Sequence, residues 1–225
     1  MESNAEFTFA VVTTDAVPTA TFADVRRLFR ENYREANLAY LEKNLSKLRY
    51  LATAVAASGE VAGFALGEAR IIDLPGAPGS NVHLAGLCCV GTEYRRHGLF
   101  RKLEGLALGA NELPRKERWL SCGRTAHPAS FRGFFADPAA VPHAGRVPNA
   151  WQRDVGSAIA EAYGSPGFDR ETFVIRGGGT PIGWPVIEIE ATAEEWAMFE
   201  PVDRAKGDSL LGIAWHPTAP AGWLG

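Results

Sequence analysis

The segment Cys88–Leu108 has the sequence CCVGTEYRRHGLFRKLEGLAL and contains the strongest structural signal of this chain. An apolar run ends at two cysteines, three basic residues follow, and a glycine precedes an amphipathic stretch. In that stretch Leu99 and Leu103 lie at helical spacing. The segment therefore predicts a largely apolar strand over 82–90, a basic turn, and a helix over 99–112.

The basic turn combines several features that favour anion binding. The N terminus of a helix presents unpaired N–H groups and a partial positive charge. Gly98 allows a ligand to approach the backbone closely, and Arg95, Arg96 and His97 add positive charge. This combination suits a pyrophosphate group. The alternative is a solvated basic turn that happens to contain a glycine.

The remaining pattern alternates between strands and helices. Further strands are predicted at 7–14, 50–57, 61–72, 118–123, 171–177, 185–190 and 208–217. Helical patterns occupy 18–50, 127–137, 148–164 and 192–203, and a loop rich in Pro and Gly occupies 73–81. The order predicts an α/β fold in which one mixed sheet carries helices on its faces.

The composition excludes several classes of protein. The chain has 225 residues, a net charge of −3 and a pI near 6.0, which argues against binding of nucleic acid or acidic membranes. No apolar run approaches the roughly 20 residues of a membrane span, and the first residues do not resemble a signal peptide. Three cysteines without metal-ligand spacing predict reduced thiols, a cytoplasmic location and no metal site.

Residues 95–100, Arg-Arg-His-Gly-Leu-Phe, resemble the Arg/Gln-x-x-Gly-x-Gly/Ala signature of the GNAT superfamily of acyl-CoA N-acyltransferases. In that family the signature lies between the fourth strand and the third helix, and the resemblance covers roughly residues 7–137. It implies a mostly antiparallel central sheet and acetyl-CoA as the acyl donor. Phe100 departs from the signature, and it is compatible with backbone binding if its side chain points into the helix–sheet core.

The resemblance also implies which residues bind coenzyme A. Backbone N–H groups of 95–100 would hold the pyrophosphate, and the backbone of 88–90 would pair with the pantetheine arm like an added strand. The implied binding residues are Cys88, Cys89, Val90, Arg95, Arg96, His97, Gly98, Leu99, Phe100 and Arg101.

The residues for catalysis are less clearly marked. Enzymes of the family often use a Glu or an ordered water as the base and a Tyr as the acid that protonates the thiolate. The strand 82–90 contains no carboxylate, so His83 is the candidate base, although it could simply satisfy a local hydrogen bond. The family's Asn and Tyr positions hold His127 and Phe134 here. His127 is therefore either the acid, a pantetheine contact or a helix cap.

Two other sources of catalytic groups are weaker. The three cysteines fall on predicted core strands, where cysteine is usually a small hydrophobic residue, so an acyl-cysteine intermediate is disfavoured. Tyr163, on a later predicted helix, is a distant alternative acid without supporting spacing.

We expect residues 1–145 to form the acetyl-CoA-binding core. Residues 146–225 would extend the same domain, complete the sheet and contribute the acceptor site. This extension holds five of the six tryptophans, which form either an acceptor wall around Trp184 or core and dimer contacts. The acidic run over 188–200 either attracts a cationic amine or is a solvated face.

The sequence thus predicts an acetyltransferase that modifies a primary amine of a small molecule by direct transfer in a ternary complex. A protein acetyltransferase acting on a lysine or an N-terminal amine is one alternative. A catalytically silent CoA-binding module is another. The chain is also compatible with a homodimer, and its net acidity disfavours a nucleic-acid acceptor.

Overall fold

The computed structural model describes residues 7–114, 116–165 and 167–225. Ten strands occur in these residues: β1 (Phe7–Thr13), β2 (Tyr33–Arg34), β3 (Tyr50–Ala56), β4 (Val61–Leu74), β5 (Ala77–Val90), β6 (Trp119–Thr125), β7 (Phe168–Asp169), β8 (Val174–Ile175), β9 (Trp184–Pro185) and β10 (Ser209–His216). The same residues contain six α-helices: α1 (Thr19–Asn32), α2 (Leu38–Leu45), α3 (Leu99–Leu108), α4 (Arg132–Phe135), α5 (Ala150–Ala162) and α6 (Ala193–Ala197).

The sheet is mixed and mostly antiparallel. Eight strands follow the order β1-β3-β4-β5-β6-β10-β8-β7, and β2 pairs with β9 in a separate two-stranded sheet. The pairing of β5 with β6 is parallel, whereas β1 with β3, β3 with β4, and β6 with β10 are antiparallel. The predicted fold class, an α/β fold with a mixed, mostly antiparallel sheet flanked by helices, is confirmed.

The chain divides into two compact units, and the division falls within β4 and β5. Unit 1 contains residues 7–68, 85–112 and 182–188. Unit 2 contains the described residues of 69–84, 113–181 and 189–225. The boundary expected near residue 145 stays a prediction.

The core of unit 1 is built around α3. Leu99, Leu103 and Ala107 form the buried face of this helix, and they pack against small residues of β3 and β4. Gly63 and Gly67 on β4 let the helix approach the sheet closely. A methyl group at Gly63 would lie 2.9 Å from Cδ1 of Leu103, and one at Gly67 would lie 3.2 Å from Cβ of Ala107.

The helical pattern predicted over 18–50 forms two helices. The backbone leaves α1 at Tyr33, whose φ of −129° is extended, and Glu35 adopts a positive φ of 54°. A new helix starts at Leu38 because Asn37 caps it: the Asn37 side chain accepts hydrogen bonds from the backbone N–H groups of Ala39 and Tyr40. The periodicity of the sequence did not reveal this break.

The loop predicted at 73–81 is wrong, because β4 and β5 run through most of it as a hairpin. Pro75 and Gly76 form its turn, and the positive φ of 71° at Gly76 suits glycine. Pro78 lies within β5 before that strand meets β6 at Asn81, so its missing N–H costs no hydrogen bond to β6.

Two buried tryptophans form part of the core of unit 2. Trp223 is fully buried, and its indole Nε1 donates a hydrogen bond to the carbonyl of Ala139 at 2.8 Å. Its own carbonyl accepts hydrogen bonds from the side chains of Asn149 and Gln152, which form the capping box of α5. Trp215 is also buried and meets Trp223 edge to face. These two tryptophans are therefore core residues.

The C-terminal third contains less regular structure than predicted. The strand predicted at 171–177 is only Val174–Ile175, and the strand predicted at 185–190 is absent beyond Trp184–Pro185. The last helix, predicted over 192–203, ends at Ala197, and a capping box formed by Thr192 and Glu195 starts it. Apolar content suggested strands there, but a strand also needs a neighbour along its length, and those residues lack one in the described chain.

We predict that Trp223→Ala lowers the free energy of unfolding by about 3–5 kcal/mol, because a large aromatic side chain leaves a cavity in a close-packed core. Leu224→Ala is the matched control, since Leu224 is 55% exposed, and it should cost less than about 0.5 kcal/mol. Urea unfolding followed by circular dichroism measures both. Equal unfolding free energies for the two variants would contradict a core role for Trp223.

Candidate functional site

The turn between β5 and α3 places two residues in the left-handed region. Arg96 has a φ of 70° and Gly98 a φ of 72°. Arg96, His97 and Gly98 are exposed, and no atom of the described residues lies within 4 Å of the position that a Cβ would take at Gly98. The helix begins at Leu99, so its first N–H groups have no partner within the helix. The turn thus opens a backbone concavity of the kind that binds phosphate groups.

The side chain of Arg95 is engaged within the protein. Its guanidinium donates a hydrogen bond to Oδ1 of Asn32 at 3.0 Å and another to the carbonyl of Val90 at 3.5 Å. Asn32 in turn donates to the carbonyl of Leu28 at 2.8 Å. Arg95 therefore ties the turn to the C-terminal end of α1, which fixes the direction of the backbone that follows.

His97 and Tyr94 both contact the ring of Phe7 on β1. The ring centroids are 6.0 Å apart for His97 and 5.9 Å apart for Tyr94, in edge-to-face arrangements. The exposed imidazole of His97 is thus supported from one side. Arg96 is exposed and leaves its charge at the surface of the turn.

Phe100 does not point into the helix–sheet core. It is 52% exposed, because Leu99, Leu103 and Ala107 occupy the buried face of α3 and Phe100 lies a quarter turn away. The condition under which a bulky residue was expected to fit is therefore not met. Leu99 is buried and can offer a ligand only its backbone.

A basic concavity of about 410 Å³ follows the turn along the outer face of α3. Arg101 and Lys102 provide its charge, and Gly98, Gly105 and Leu106 complete its lining. Lys102 also lies over the ring of Phe9, 5.7 Å from its centroid. Gly105 adds no side chain to this part of the helix surface, and in the part of the chain that the structure describes no atom lies within 4 Å of its Cβ position.

The end of β5 carries Cys88 and Cys89 on different sides. Cys88 is half-buried and packs against the core of α3, whereas Cys89 is buried and forms a hydrogen bond with the Tyr33 side chain. Burial raises the pKa of the Cys88 thiol well above its usual value and that of Cys89 to about 12. Both thiols are therefore protonated near neutral pH, which is unfavourable for a nucleophile.

The parallel ladder between β5 and β6 is short. In the described chain it joins Asn81–Leu84 to Trp119–Cys122, although β5 continues to Val90. The regular alternation of β5 is also interrupted, because a Cβ at Gly86 would meet Leu48 and Leu66, whereas Cys88 packs against α3. The backbone of 85–90 thus does not continue the regular pairing of β5 with β6 in the described chain.

His83, the candidate base, lies in unit 2 on the paired part of β5. Its ring stacks on Trp119 with centroids 6.2 Å apart, and Trp119 lies 5.4 Å from the ring of His216. Burial, and then His216, lower the pKa of His83. Its imidazole is therefore neutral near pH 7, and a neutral imidazole can accept a proton.

His127 caps the short 3₁₀ turn Pro128–Phe131 in unit 2. Its Nδ1 accepts a hydrogen bond from the backbone N–H of Ala129 at 3.1 Å, so the neutral ring carries its proton on Nε2. The ring meets Trp196 edge to face at 5.1 Å. The capping interpretation is confirmed, and a catalytic role for His127 stays a prediction.

Phe134 and Tyr163 both serve packing in unit 2. Phe134 lies over a pair of facing glycines, Gly123 on β6 and Gly212 on β10, where a Cβ would come within 3.3 and 2.6 Å of its ring. Tyr163 is buried, and its hydroxyl donates to the carbonyl of Cys122 at 3.0 Å. The aromatic residue in the family's Tyr position therefore fills a notch in the sheet.

One carboxylate of the acidic run forms an ion pair within the protein. Arg132 donates to the Glu195 carboxylate at 2.6 Å, and the same guanidinium donates to the carbonyl of Glu190 at 2.7 Å. Its hydrogen bond to Arg132 lowers the pKa of Glu195 to about 2. Glu195 is thus committed to Arg132 rather than to a ligand.

Glu104, near the candidate turn, was not predicted as a functional residue from the sequence. Glu104 lies on α3, is half-buried, and has a pKa raised by burial. The sequence signal was weak, because an acid between apolar residues of an amphipathic helix usually faces solvent.

The described residues contain no cluster of three or more His, Cys, Asp or Glu side chains placed to hold a metal ion. Within the same residues, no helix combines the length and the apolar character that crossing a membrane requires.

No protein-family model matches this chain, and no curated protein matches it. Solved structures are similar to it. One contains the glucosamine N-acetyltransferase region of a fungal multi-domain β-N-acetylglucosaminidase, with 15% identity and a TM-score of 0.41 over 72% of this chain and 17% of that chain. Another is a GNAT family N-acetyltransferase from Escherichia coli in complex with CoA, with 18% identity and a TM-score of 0.41 over 60% of this chain and 71% of that chain.

A third similar structure is an aminoglycoside N-acetyltransferase in complex with CoA, with 18% identity and a TM-score of 0.35 over 48% of this chain and 70% of that chain. The solved structures thus include members of the GNAT superfamily, which the motif of residues 95–100 resembles. At TM-scores of 0.41 or less, these similarities assign neither an activity nor a substrate to this chain.

We predict that iodoacetamide labels Cys89 slowly in the native protein at about pH 8. A pKa of about 12 leaves a thiolate fraction of about 10⁻⁴ at that pH, and the side chain is buried. Labelling should be at least about 100-fold slower than in the urea-unfolded protein, as measured by peptide mass spectrometry. Rapid native labelling would contradict the structural role of this thiol.

Proposed function

We propose that this protein is a GNAT-type acyltransferase that moves an acetyl group from acetyl-CoA to a primary amine of a small molecule. The observation that carries the proposal is the turn before α3. Two left-handed residues, Arg96 and Gly98, open the backbone at the N terminus of a helix whose other face is anchored in the core. This arrangement fits a pyrophosphate, because backbone N–H groups can approach it without obstruction.

Some of the proposed binding residues would contact coenzyme A through their side chains and others through their backbone. The exposed Arg96, His97, Gly98 and Arg101 would face the phosphates, while buried Leu99 would offer only its N–H group. Arg95 would position the turn through Asn32. The remaining members of the proposed set are Phe100 and the backbone of Cys88, Cys89 and Val90, which would pair with the pantetheine arm.

For catalysis we propose His83 as the base and His127 as the acid or as a contact to the donor. The lowered pKa of His83 supports the first assignment, since its neutral ring can accept the proton of the attacking amine. The Nε2 proton of His127 supports the second, since Nδ1 is already used by the cap. Direct transfer is favoured over an acyl-cysteine route by the raised pKa of Cys88 and of Cys89.

The acceptor is proposed to be a small amine, with aminoglycosides as the first compounds to assay. Trp184 is 36% exposed, which supports a role in an acceptor wall. A protein amine is the alternative acceptor.

The three cysteines are free thiols, which supports a cytoplasmic location. A homodimer stays a prediction.

A catalytically silent CoA-binding module is the second candidate. One observation favours it, because the ring of Phe134 fills the notch over Gly123 and Gly212 where the family's acid would stand. The strand β5 also carries no carboxylate. Consumption of acetyl-CoA distinguishes an enzyme from such a module.

We predict that acetyl-CoA binds the wild-type protein and that Gly98→Glu abolishes the binding, measured by isothermal titration calorimetry. The substitution places a carboxylate where the pyrophosphate approaches and strains a residue with a φ of 72°. We expect a rise in Kd of about 100-fold or more, since juxtaposed like charges at a binding interface cost several kcal/mol.

Gly59→Glu is the matched control for backbone strain and added charge. Gly59 also has a positive φ, 85°, and no described atom within 4 Å of its Cβ position, but it lies in the hairpin turn between β3 and β4. It should bind acetyl-CoA like wild type. Absence of binding by folded wild-type protein would overturn the proposed function.

We predict that a panel of primary amines releases CoA thiol from acetyl-CoA and that His83→Asn lowers kcat by about 100-fold or more, the usual range for general base catalysis. The Kd for acetyl-CoA should not change. Thiol release by wild type would exclude the silent module. Unchanged kcat in His83→Asn would show that another group deprotonates the amine.

A further inference from the structure

Glu104 is the one carboxylate of α3, and it stands at the sixth of its ten residues. The side chain is half-buried, and burial raises its pKa. Within the described residues it forms neither a hydrogen bond nor an ion pair. A carboxyl group in this state is unfavourable, because it loses solvation without gaining a partner.

The fold does not explain why an acid stands at this position. The helix is anchored by apolar side chains. The helix dipole stabilises negative charge only in the first turn, and Glu104 lies in the second half of the helix. Arg101 lies one turn earlier on the helix but does not pair with Glu104 in the structure. The carboxyl group therefore costs stability in the protein without ligand.

Glu104 faces the end of β5. Cys88, which is half-buried, packs against the core that Leu103 and Ala107 form on the same helix. On the opposite flank of α3, Lys102 lies over Phe9 of β1, and β1 and β5 lie on opposite sides of β3 and β4. Two residues further along an α-helix correspond to a rotation of about 160°, so Glu104 lies on the flank nearer β5. The electrostatic effect of Glu104 on Cys88, whose pKa is raised by burial, then by Cys89 and also by Glu104, agrees with this placement. Glu104 thus lies beside the backbone that is proposed to pair with the pantetheine arm.

We infer that Glu104 lines the path of the pantetheine arm and accepts a hydrogen bond from one of its amide N–H or hydroxyl groups. The inference rests on the proposed function. The six residues from Gly98 to Glu104 correspond to a rise of about 9 Å. An arm that leaves a pyrophosphate at the turn and runs along β5 passes within reach of the carboxyl group. Its amide and hydroxyl groups supply the donors that the protein itself does not.

The test compares two ligands that share one end. Acetyl-CoA contains the pantetheine arm, whereas adenosine 3′,5′-bisphosphate contains only the nucleotide end. Glu104→Ala should raise the Kd for acetyl-CoA by about ten-fold or more, which is the usual effect of losing a hydrogen bond to a charged group. The Kd for the bisphosphate should not change. Glu104→Gln keeps an acceptor oxygen and should bind acetyl-CoA within about two-fold of wild type.

Thermal unfolding of the unliganded variants gives a second readout. Removing an unpartnered, half-buried carboxyl group should leave Tm unchanged or raise it. A structural role would instead lower Tm. Glu112→Ala, an exposed acid just beyond α3, is the control and should change neither Kd nor Tm.

The possible results separate the two proposals. Equal weakening of both ligands by Glu104→Ala, or unchanged binding of acetyl-CoA, would overturn the role of Glu104 and leave the proposed function intact. Failure of wild type to bind either ligand would overturn the proposed function, and the role of Glu104 with it.

Discussion

The close packing of α3 against a strip of small residues is the contact on which the candidate site depends. Leu103 and Ala107 reach the sheet because Gly63 and Gly67 lack side chains at the points of contact. Protein interiors are packed densely enough that one added methyl group shifts a helix. The direction in which the first N–H groups of α3 point is therefore set by two glycines on β4, far along the sequence from the turn itself.

Around the turn, conformation matters more than side-chain identity. Arg95 is used internally, Phe100 faces solvent, and Leu99 is buried, so most of the motif contributes through its backbone. Arg96 and Gly98 differ in size yet adopt nearly the same positive φ. A site of this kind tolerates variation in side chains as long as the left-handed residues and the helix start are preserved.

The sequence predicted local features well and non-local ones poorly. The strand, turn and helix around Gly98 follow from periodicity and one glycine, and the structure has all three. The strand predicted over 185–190 was wrong, because apolar content does not tell whether a neighbouring strand exists. Glu104 could not be found for a similar reason, since its burial depends on the tertiary packing of α3 rather than on its neighbours in the sequence. For the site, the motif predicted the location of the turn, but the internal engagement of Arg95 and the capping by His127 required the fold.

The position of Trp223 bears on how unit 2 is made. Its indole and carbonyl hold Ala139, Asn149 and Gln152 in place, although the ribosome adds Trp223 some seventy residues or more after them. The early elements of this unit must therefore wait, with an open core, until the tryptophan has been synthesised. Domains generally fold in the order of synthesis, and exposed apolar surface invites aggregation during the wait. The nascent chain of unit 2 therefore exposes apolar core surface until Trp223 has been added.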